Sequence, residues 1–313
     1  MILPILETLH LSPSMIENEI LNPDLYRHAA GDFIKQCAII SRNPDLGLLS
    51  EVLLYYSRLP YENLSKIIKH QNQTEWLRKI RLPGEVLDDH FRCHLGGTCF
   101  ALTFTLETIL DSLGFVCYPV MADMKWKPDS HCALIVLYND NQYLVDPGYL
   151  LNRPMQLNAE RRRVFLHEVS GVEVVYRQAE QRYHLYTFDK TGTKWRYSFR
   201  DTGCSRRDFL AFWLESYYWN SMHGLLLNKI EKGRMVYVHK TFMRETTVET
   251  RVNRNIKLDY HSAIGGVFNI QAGKIEEALS ALEANLLQER ELGLWSPKET
   301  GNKNQESRNK MKD

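Results

Sequence analysis

The spacing of apolar residues changes along this chain, and this change constrains the fold more than any other feature. Up to about residue 90, segments such as Leu25–Ile40 and Leu46–Leu59 repeat apolar residues every three or four positions, which predicts helices. The middle of the chain instead carries short apolar runs, at Val116–Val120, His131–Tyr138, Tyr143–Val145, Val172–Tyr176 and Tyr183–Phe188. Such runs predict strands. Helices followed by successive short strands indicate an α+β protein with an antiparallel sheet or small barrel.

The last third of the chain returns to mixed structure. A helix is expected over Ser205–Trp219, with Ser205 as its N-cap, and an amphipathic helix over Ile275–Leu292. Between them, Met235–Met243 and Glu245–Lys257 predict a hairpin. Residues 296–313 are mostly Lys, Asn, Glu, Gln and Ser, a composition that predicts a disordered charged tail.

Charge and cysteine usage exclude several classes of function. The 39 basic and 38 acidic side chains leave a net charge of +1, so no electrostatic footprint for nucleic acid is present. The six cysteines have neither CxxC motifs nor regular spacing, so we expect no metal site and no disulfide framework. No apolar run approaches the roughly 20 residues that cross a bilayer. We therefore expect a cytoplasmic protein without a membrane partner, of unknown oligomeric state.

Cys99 stands where a thiol becomes a nucleophile. It follows Gly96-Gly97-Thr98 and begins a predicted helix, Cys99–Leu113, which Gly114 ends. With Thr98 as N-cap, Cys99 lies in the first turn, where free N–H groups and the helix dipole favour the thiolate. A lone cysteine is more often a buried structural residue. Catalysis therefore needs a base and a group that orients it.

His131 and Asp146 supply such a pair on neighbouring predicted strands. A two-residue turn at Asn139-Asp140 places the two residues on the same face as diagonal neighbours, about 7–8 Å apart. A three-residue turn would place them on opposite faces. Cys99, His131 and Asp146 together predict a catalytic triad, with His131 as general base and Asp146 orienting it.

These segments resemble the arylamine N-acetyltransferase family, over most of the chain to about residue 270. The resemblance is carried by Gly96–Phe100, His131–Val136 and Tyr143–Tyr149, and by Leu59–Leu64, which is similar to the family's Pro-Phe-Glu-Asn-Leu segment. Asn220–His223 loosely resembles the segment that meets the acyl donor.

The resemblance implies a papain-like cysteine-triad core and a division into domains. A helical domain would occupy residues 1–90, the nucleophile helix and a central antiparallel β-barrel residues 91–203, and a linking helix with an α/β lid residues 204–295, ahead of the tail. It also implies transfer of an acetyl or other acyl group from acyl-CoA, through a Cys99 thioester, to an arylamine, hydrazine or N-hydroxyarylamine. Acetyl-CoA would be a donor substrate rather than a bound cofactor. The substrate-contact positions that the resemblance implies are Tyr61, Thr98, Phe100, Gly148, Ser221 and His223.

Three features depart from the family pattern. Leu95 and Ala101 stand where the family has Arg and Glu, so Glu62 lacks its usual partner, and Arg92 and His94 are candidates to replace it. The family's Asp-Val-Gly-Phe-Gly run reads Asp-Pro-Gly-Tyr-Leu at residues 146–150. Other functions therefore stay open: a natural-product amide synthase, a Cys-His-Asp hydrolase or transglutaminase-like enzyme with the same triad, or an inert binding module.

Overall fold

Helices dominate the first third of the chain in the computed structural model, which describes residues 11–166 and 169–296. The predicted disordered tail lies almost wholly outside the described residues. Short helical turns occupy Pro13–Met15, Ile16–Ile20, Pro23–Tyr26, Ser216–Tyr218 and Asn220–Met222. The α-helices are α1 Arg27–Gln36, α2 Leu46–Tyr56, α3 Leu64–Asn72, α4 Trp76–Lys79, α5 Pro83–Cys93, α6 Cys99–Ser112, α7 Arg206–Glu215, α8 Tyr260–Phe268 and α9 Ala272–Glu291.

The local sequence explains where the central helices begin and end. The Asp45 carboxylate accepts a hydrogen bond from the Leu48 amide at 2.6 Å and so caps α2. Helix α6 is buried from Cys99 to Leu110, and its buried Glu107 is paired with Arg206 at 2.6 Å. Gly114, at φ 82°, follows the end of α6 as predicted.

Eight strands form one antiparallel sheet, in the order β5-β4-β3-β2-β9-β8-β7-β6. Arg163 in the edge strand β6 donates a hydrogen bond to Gln156 in the opposite edge strand β5 at 2.9 Å, so the sheet is a nearly closed barrel. The strands are β2 Val116–Met124, β3 Lys127–Tyr138, β4 Asn141–Val145, β5 Met155–Gln156, β6 Arg163–Leu166, β7 Gly171–Arg177, β8 Arg182–Asp189 and β9 Gly192–Phe199. Helices at the N-terminus and an antiparallel barrel confirm the predicted α+β class.

A second sheet of five strands has the order β1-β10-β11-β12-β13. Its strands are β1 Tyr61–Glu62, β10 Leu226–Glu231, β11 Arg234–His239, β12 Phe242–Thr246 and β13 Arg251–Asn255. The predicted hairpin was wrong in its bounds, because the chain turns at Lys240, a non-glycine residue at φ 54°, and again after Thr246. Since β1 pairs with β10, this sheet crosses the boundary expected at residue 90, and the division into domains stays a prediction.

Strand β3 separates two apolar cores. Ala133 and Ile135 face the barrel interior, whereas Cys132 and Leu134 face the core that contains α6 and the other helices. This alternation is the normal period of a strand. No helix among the described residues is both long and apolar enough to span a bilayer.

Candidate active site

The loop before Cys99 is held by the segment that contains β1. The Gly97 amide donates to the Pro60 carbonyl at 3.4 Å, and the Glu62 amide donates to the Gly97 carbonyl at 3.0 Å. A Cβ on Gly96 would lie 1.9 Å from the Pro60 oxygen, so only glycine permits this approach. The backbone therefore fixes the start of α6 against β1.

Cys99 occupies the first turn of α6, as predicted, and its side chain is buried. Thr98 takes the N-cap position in an extended conformation, but its side chain makes no capping hydrogen bond. The predicted N-cap position of Thr98 is confirmed, without the side-chain hydrogen bond that usually accompanies it. The bonds of the preceding loop, and not a Thr98 side-chain cap, position the start of the helix.

His131 and Asp146 meet as the two-residue turn requires. Asn139 and Asp140 have φ values of 47° and 58°, the combination of a type I′ hairpin turn. Tyr138 pairs with Asn141 in the resulting register. The His131 Nε2 atom lies 2.8 Å from Asp146 Oδ2, and both side chains are buried.

Cys99 lies against the same histidine. A Cβ placed on Gly148 would be 2.7 Å from His131 Cε1 and 3.3 Å from Cys99 Cβ, so both side chains pack on the Gly148 backbone. Because Asp146 takes Nε2, Nδ1 is the ring nitrogen that remains for the thiol. The structure thus brings the three predicted catalytic residues together.

The charges of the site favour a thiolate–imidazolium pair. A hydrogen bond from Cys132 and the interaction with His131 lower the pKa of the Cys99 thiol well below its usual value, against the opposing effect of burial. Burial alone would lower the pKa of His131, but the Asp146 carboxylate and the Cys99 thiolate outweigh it and raise that pKa to about 10. A nucleophile of this type is ionised at neutral pH.

Asp146 is fully buried, and its oxygens have partners. Oδ2 also accepts a hydrogen bond from the Tyr197 hydroxyl at 2.5 Å, and Oδ1 accepts one from the Tyr149 amide at 3.1 Å. The Tyr149 and Tyr197 rings lie 5.3 and 4.8 Å from the His131 ring, centroid to centroid. Tyr197 was not among the predicted site residues, although Trp195, Tyr197 and Phe199 alternate as strand residues do.

Glu62 is paired with Arg81, not with Arg92 or His94. The Arg81 Nη1 atom lies 3.7 Å from Glu62 Oε1, and Arg81 also bonds the Gly96 carbonyl. Glu62 accepts further hydrogen bonds from the Gly96 amide at 3.2 Å and the Ser65 hydroxyl at 2.5 Å. A guanidinium therefore reaches the Glu62 carboxylate from the turn before α5, while Leu95 is buried among apolar residues.

Arg92 and His94 have other roles. Arg92 pairs with Asp88 at 2.8 Å on the exposed side of α5. His94 ends α5 in the left-handed conformation, at φ 56°. The helix directs Arg92 outward, and neither the Arg92 nor the His94 side chain bonds Glu62.

Lys66 is a further charged group near the nucleophile. Its ammonium donates to the Ser216 carbonyl at 3.0 Å and to the Ser216 hydroxyl at 2.5 Å, and the side chain is buried in α3. Burial lowers the pKa of Lys66 to about 7, and the charge of Cys99 opposes that change.

The other predicted contact residues lie in different surroundings. Phe100 is fully buried, and its ring packs 5.3 Å from Phe209 and 6.2 Å from Trp213, so its side chain belongs to the core and only its backbone is left to face a substrate. The Ser221 carbonyl accepts a hydrogen bond from Asn63 at 2.7 Å. His223 bonds Glu289 in α9 at 2.7 Å. Substrate contact by Ser221 and His223 stays a prediction.

The Asp146–Leu150 turn keeps a conformation that suits glycine. Leu150 has φ 55° at the position where the family pattern has its second glycine. A left-handed leucine carries a cost of roughly 1–2 kcal/mol.

Within the described part of the chain, no group of three or more His, Cys, Asp or Glu side chains is placed to hold a metal ion.

Known proteins share this architecture. The arylamine N-acetyltransferase of Mycobacterium abscessus superposes with a TM-score of 0.70 at 17% identity, covering 85% of this chain and 98% of that one. Arylamine N-acetyltransferase C of Bacillus anthracis gives 0.62 at 20% identity, covering 78% and 98%, and the Nocardia farcinica enzyme gives 0.67 at 19%, covering 81% and 95%. At these identities the likeness shows the fold, which confirms the predicted class with its papain-like core.

Sequence comparison adds the family. No curated protein matches this chain. The N-acetyltransferase family model, however, matches residues 45–272, which is most of the chain and includes all three triad residues. The chain therefore belongs to the arylamine N-acetyltransferase family, a family of acyl-transferring enzymes.

Proposed function

We propose that the enzyme transfers an acetyl or other acyl group from acyl-CoA to a small-molecule amine, hydrazine or N-hydroxyarylamine through a thioester on Cys99. The observation that carries this proposal is the buried alignment of the Cys99 thiol, the His131 imidazole and the Asp146 carboxylate. The 2.8 Å bond between His131 and Asp146 holds the ring, so its other nitrogen faces the thiol. We also propose that the enzyme acts in the cytoplasm.

The first half-reaction begins from the ion pair. The Cys99 thiolate adds to the carbonyl carbon of the donor thioester, and the tetrahedral intermediate expels the CoA thiolate. That thiolate leaves with the proton of the His131 imidazolium. Cys99 is then acylated and His131 is neutral.

The second half-reaction uses the neutral imidazole as a base. The amine nitrogen adds to the acyl carbon, and His131 takes the proton that the nitrogen loses. The C–S bond breaks, the amide leaves, and the thiolate–imidazolium pair forms again. Because a thioester retains the reactivity of the donor, splitting the transfer lowers the barrier of each step.

The direct test is the intact mass of the protein after incubation with acetyl-CoA. We expect the mass of one acetyl group to be added to the wild-type protein, and none to Cys99→Ser. Adding aniline or phenylhydrazine should then release the group as the amide. Cys93→Ser is a matched control that retains the gain, since Cys93 ends α5 outside the triad.

Other outcomes favour the alternatives. An acetyl group that water removes as fast as the amines do would indicate a hydrolase. Labelling by other acyl-CoA donors but not by acetyl-CoA would favour an amide synthase with a different donor. No labelling by any acyl donor would refute transfer through Cys99 and favour the inert binding module.

A further inference from the structure

Tyr61 is held beside the nucleophile by the backbone. It forms a parallel bridge with Gly97, two residues before Cys99, while its other edge pairs with Asn228 of β10. The Tyr61 ring packs against the core and is only partly buried. Both edges of this short strand are paired, so the side chain has a fixed direction.

The Tyr61 hydroxyl is available for a hydrogen bond to solvent or to a bound substrate. It makes no hydrogen bond to any residue in 11–166 or 169–296, and its oxygen is not among the fully buried atoms without a partner in those ranges, so it keeps some exposed area. A phenol O–H in this setting normally finds a partner. The partner it lacks in the free enzyme must come from solvent or from a bound substrate.

The groups that act electrostatically on the Tyr61 phenol belong to the candidate active site. The charged group that acts on Tyr61 most strongly is Cys99, followed by Tyr149, Cys132 and Asp146. Burial and these acidic groups raise the pKa of Tyr61 well above its usual value. The phenol therefore keeps its proton and remains a hydrogen-bond donor, on a strand residue that bridges Gly97 two positions before Cys99.

We propose that Tyr61 is a further catalytic residue, whose O–H donates a hydrogen bond to the carbonyl oxygen of the acyl group attached at Cys99. The inference rests on the proposed acyl transfer through Cys99. When a thiolate or an amine adds to that carbonyl, the electron pair of the C=O bond moves to the oxygen. Tyr61 stabilises this oxyanion without giving up its proton, and the C=O bond forms again as the leaving group departs. The family segment that Leu59–Leu64 resembles has phenylalanine at this position and offers no such donor.

Tyr61→Phe removes only the oxygen atom and supplies the test. We measure single-turnover acylation of Cys99 by acetyl-CoA and by p-nitrophenyl acetate, and alkylation of Cys99 by iodoacetamide. Acylation forms an oxyanion, whereas alkylation does not. Loss of one oxyanion donor lowers rates by about 10²–10³-fold. We therefore expect acylation by both donors to fall by that factor while alkylation stays at the wild-type rate.

Tyr55→Phe is a control for the loss of a phenol hydroxyl, because Tyr55 lies on α2 and packs against Arg58, away from the triad. It should match the wild-type protein in both reactions. Unchanged acylation of Tyr61→Phe with a raised KM for the amine would overturn the proposal and make Tyr61 an acceptor contact. Parallel losses in acylation and alkylation would overturn it as well, because they indicate a displaced thiolate. A wild-type protein that neither donor acylates would refute the proposed function itself.

Discussion

Gly148 lies where an added methyl group would separate the catalytic groups. A Cβ there would be 2.7 Å from His131 Cε1 and 3.3 Å from both Asp146 Oδ1 and Cys99 Cβ. Non-bonded carbon atoms keep about 3.5–4.0 Å apart. Gly148→Ala therefore requires the imidazole to move by about 1 Å. The backbone adds no strain of its own, since Gly148 is not at positive φ.

The imidazole has little freedom to make this movement. Asp146 holds its Nε2 atom, and the rings of Tyr149 and Tyr197, whose centroids lie 5.3 Å apart, both pack beside it. A displacement of about 1 Å in a catalytic group costs about 100-fold in rate. Overpacking a filled site costs about 1–3 kcal/mol of the free energy of unfolding. We expect Gly148→Ala to fold with a loss of that size and to be acylated about 100-fold more slowly.

The assay combines urea denaturation, acetyl-CoA acylation and the pH dependence of iodoacetamide alkylation. In the wild-type protein, alkylation should reach half its maximal rate well below pH 9, because the pKa of Cys99 is lowered. In Gly148→Ala, weaker contact with His131 should move that midpoint upward. Gly273→Ala is the matched control, since a Cβ there meets no atom within 4 Å. Wild-type acylation and an unchanged alkylation midpoint in Gly148→Ala would refute this account of the site.

Three further predictions concern groups around the triad. Tyr197→Phe should lower the free energy of unfolding in urea by about 1.5–3 kcal/mol, the usual worth of a hydrogen bond to a charged group, and a loss below 0.5 kcal/mol would contradict the observed bond. Arg81→Met leaves Glu62 buried without its cation and should cost about 3–5 kcal/mol, whereas Arg92→Met breaks an exposed pair and should cost less than about 1 kcal/mol. The pKa of Lys66 is about 7 in the folded protein and near 10.5 when exposed. Between these pH values the unfolded state binds more protons, so Lys66 makes the free energy of unfolding rise with pH, by up to about 1.4 kcal/mol per pH unit. Urea denaturation at several pH values between 7 and 10 should give a lower slope for Lys66→Met, and equal slopes would show that Lys66 is not buried as a titrating group.

The proximity of Cys99, His131 and Asp146 was predictable because local rules determine the position of each residue. Cys99 begins a helix after two glycines, and the spacing of His131 and Asp146 around Asn139-Asp140 admits only two registers. The turn chemistry favours the shorter turn, since Asn and Asp tolerate positive φ better than other non-glycine residues. Only the meeting of the helix with the hairpin required the whole fold.

The partners of the triad could not be predicted, because the fold alone determines them. Arg81 lies in the turn before α5, yet it reaches Glu62 and Gly96 in space. Strand β9, which carries Tyr197, begins with Gly192, Thr193 and Lys194, and these exposed residues hide the strand pattern. A charged side chain on a loop gives no signal of which buried carboxylate it will meet.

The short segment around β1 connects the candidate active site to the rest of the fold. Tyr61 bridges Gly97, Glu62 binds Arg81, and Asn63 donates to the Gly224 carbonyl at 2.9 Å in the loop that leads to β10. Three consecutive residues thus join the nucleophile loop, the helical region and the five-stranded sheet. The backbone of the same segment bonds Gly97 on both sides, through the Pro60 carbonyl and the Glu62 amide. The geometry of the nucleophile therefore depends on the second sheet as well as on the barrel, although no residue of that sheet outside β1 belongs to the triad or its hydrogen-bond partners described above.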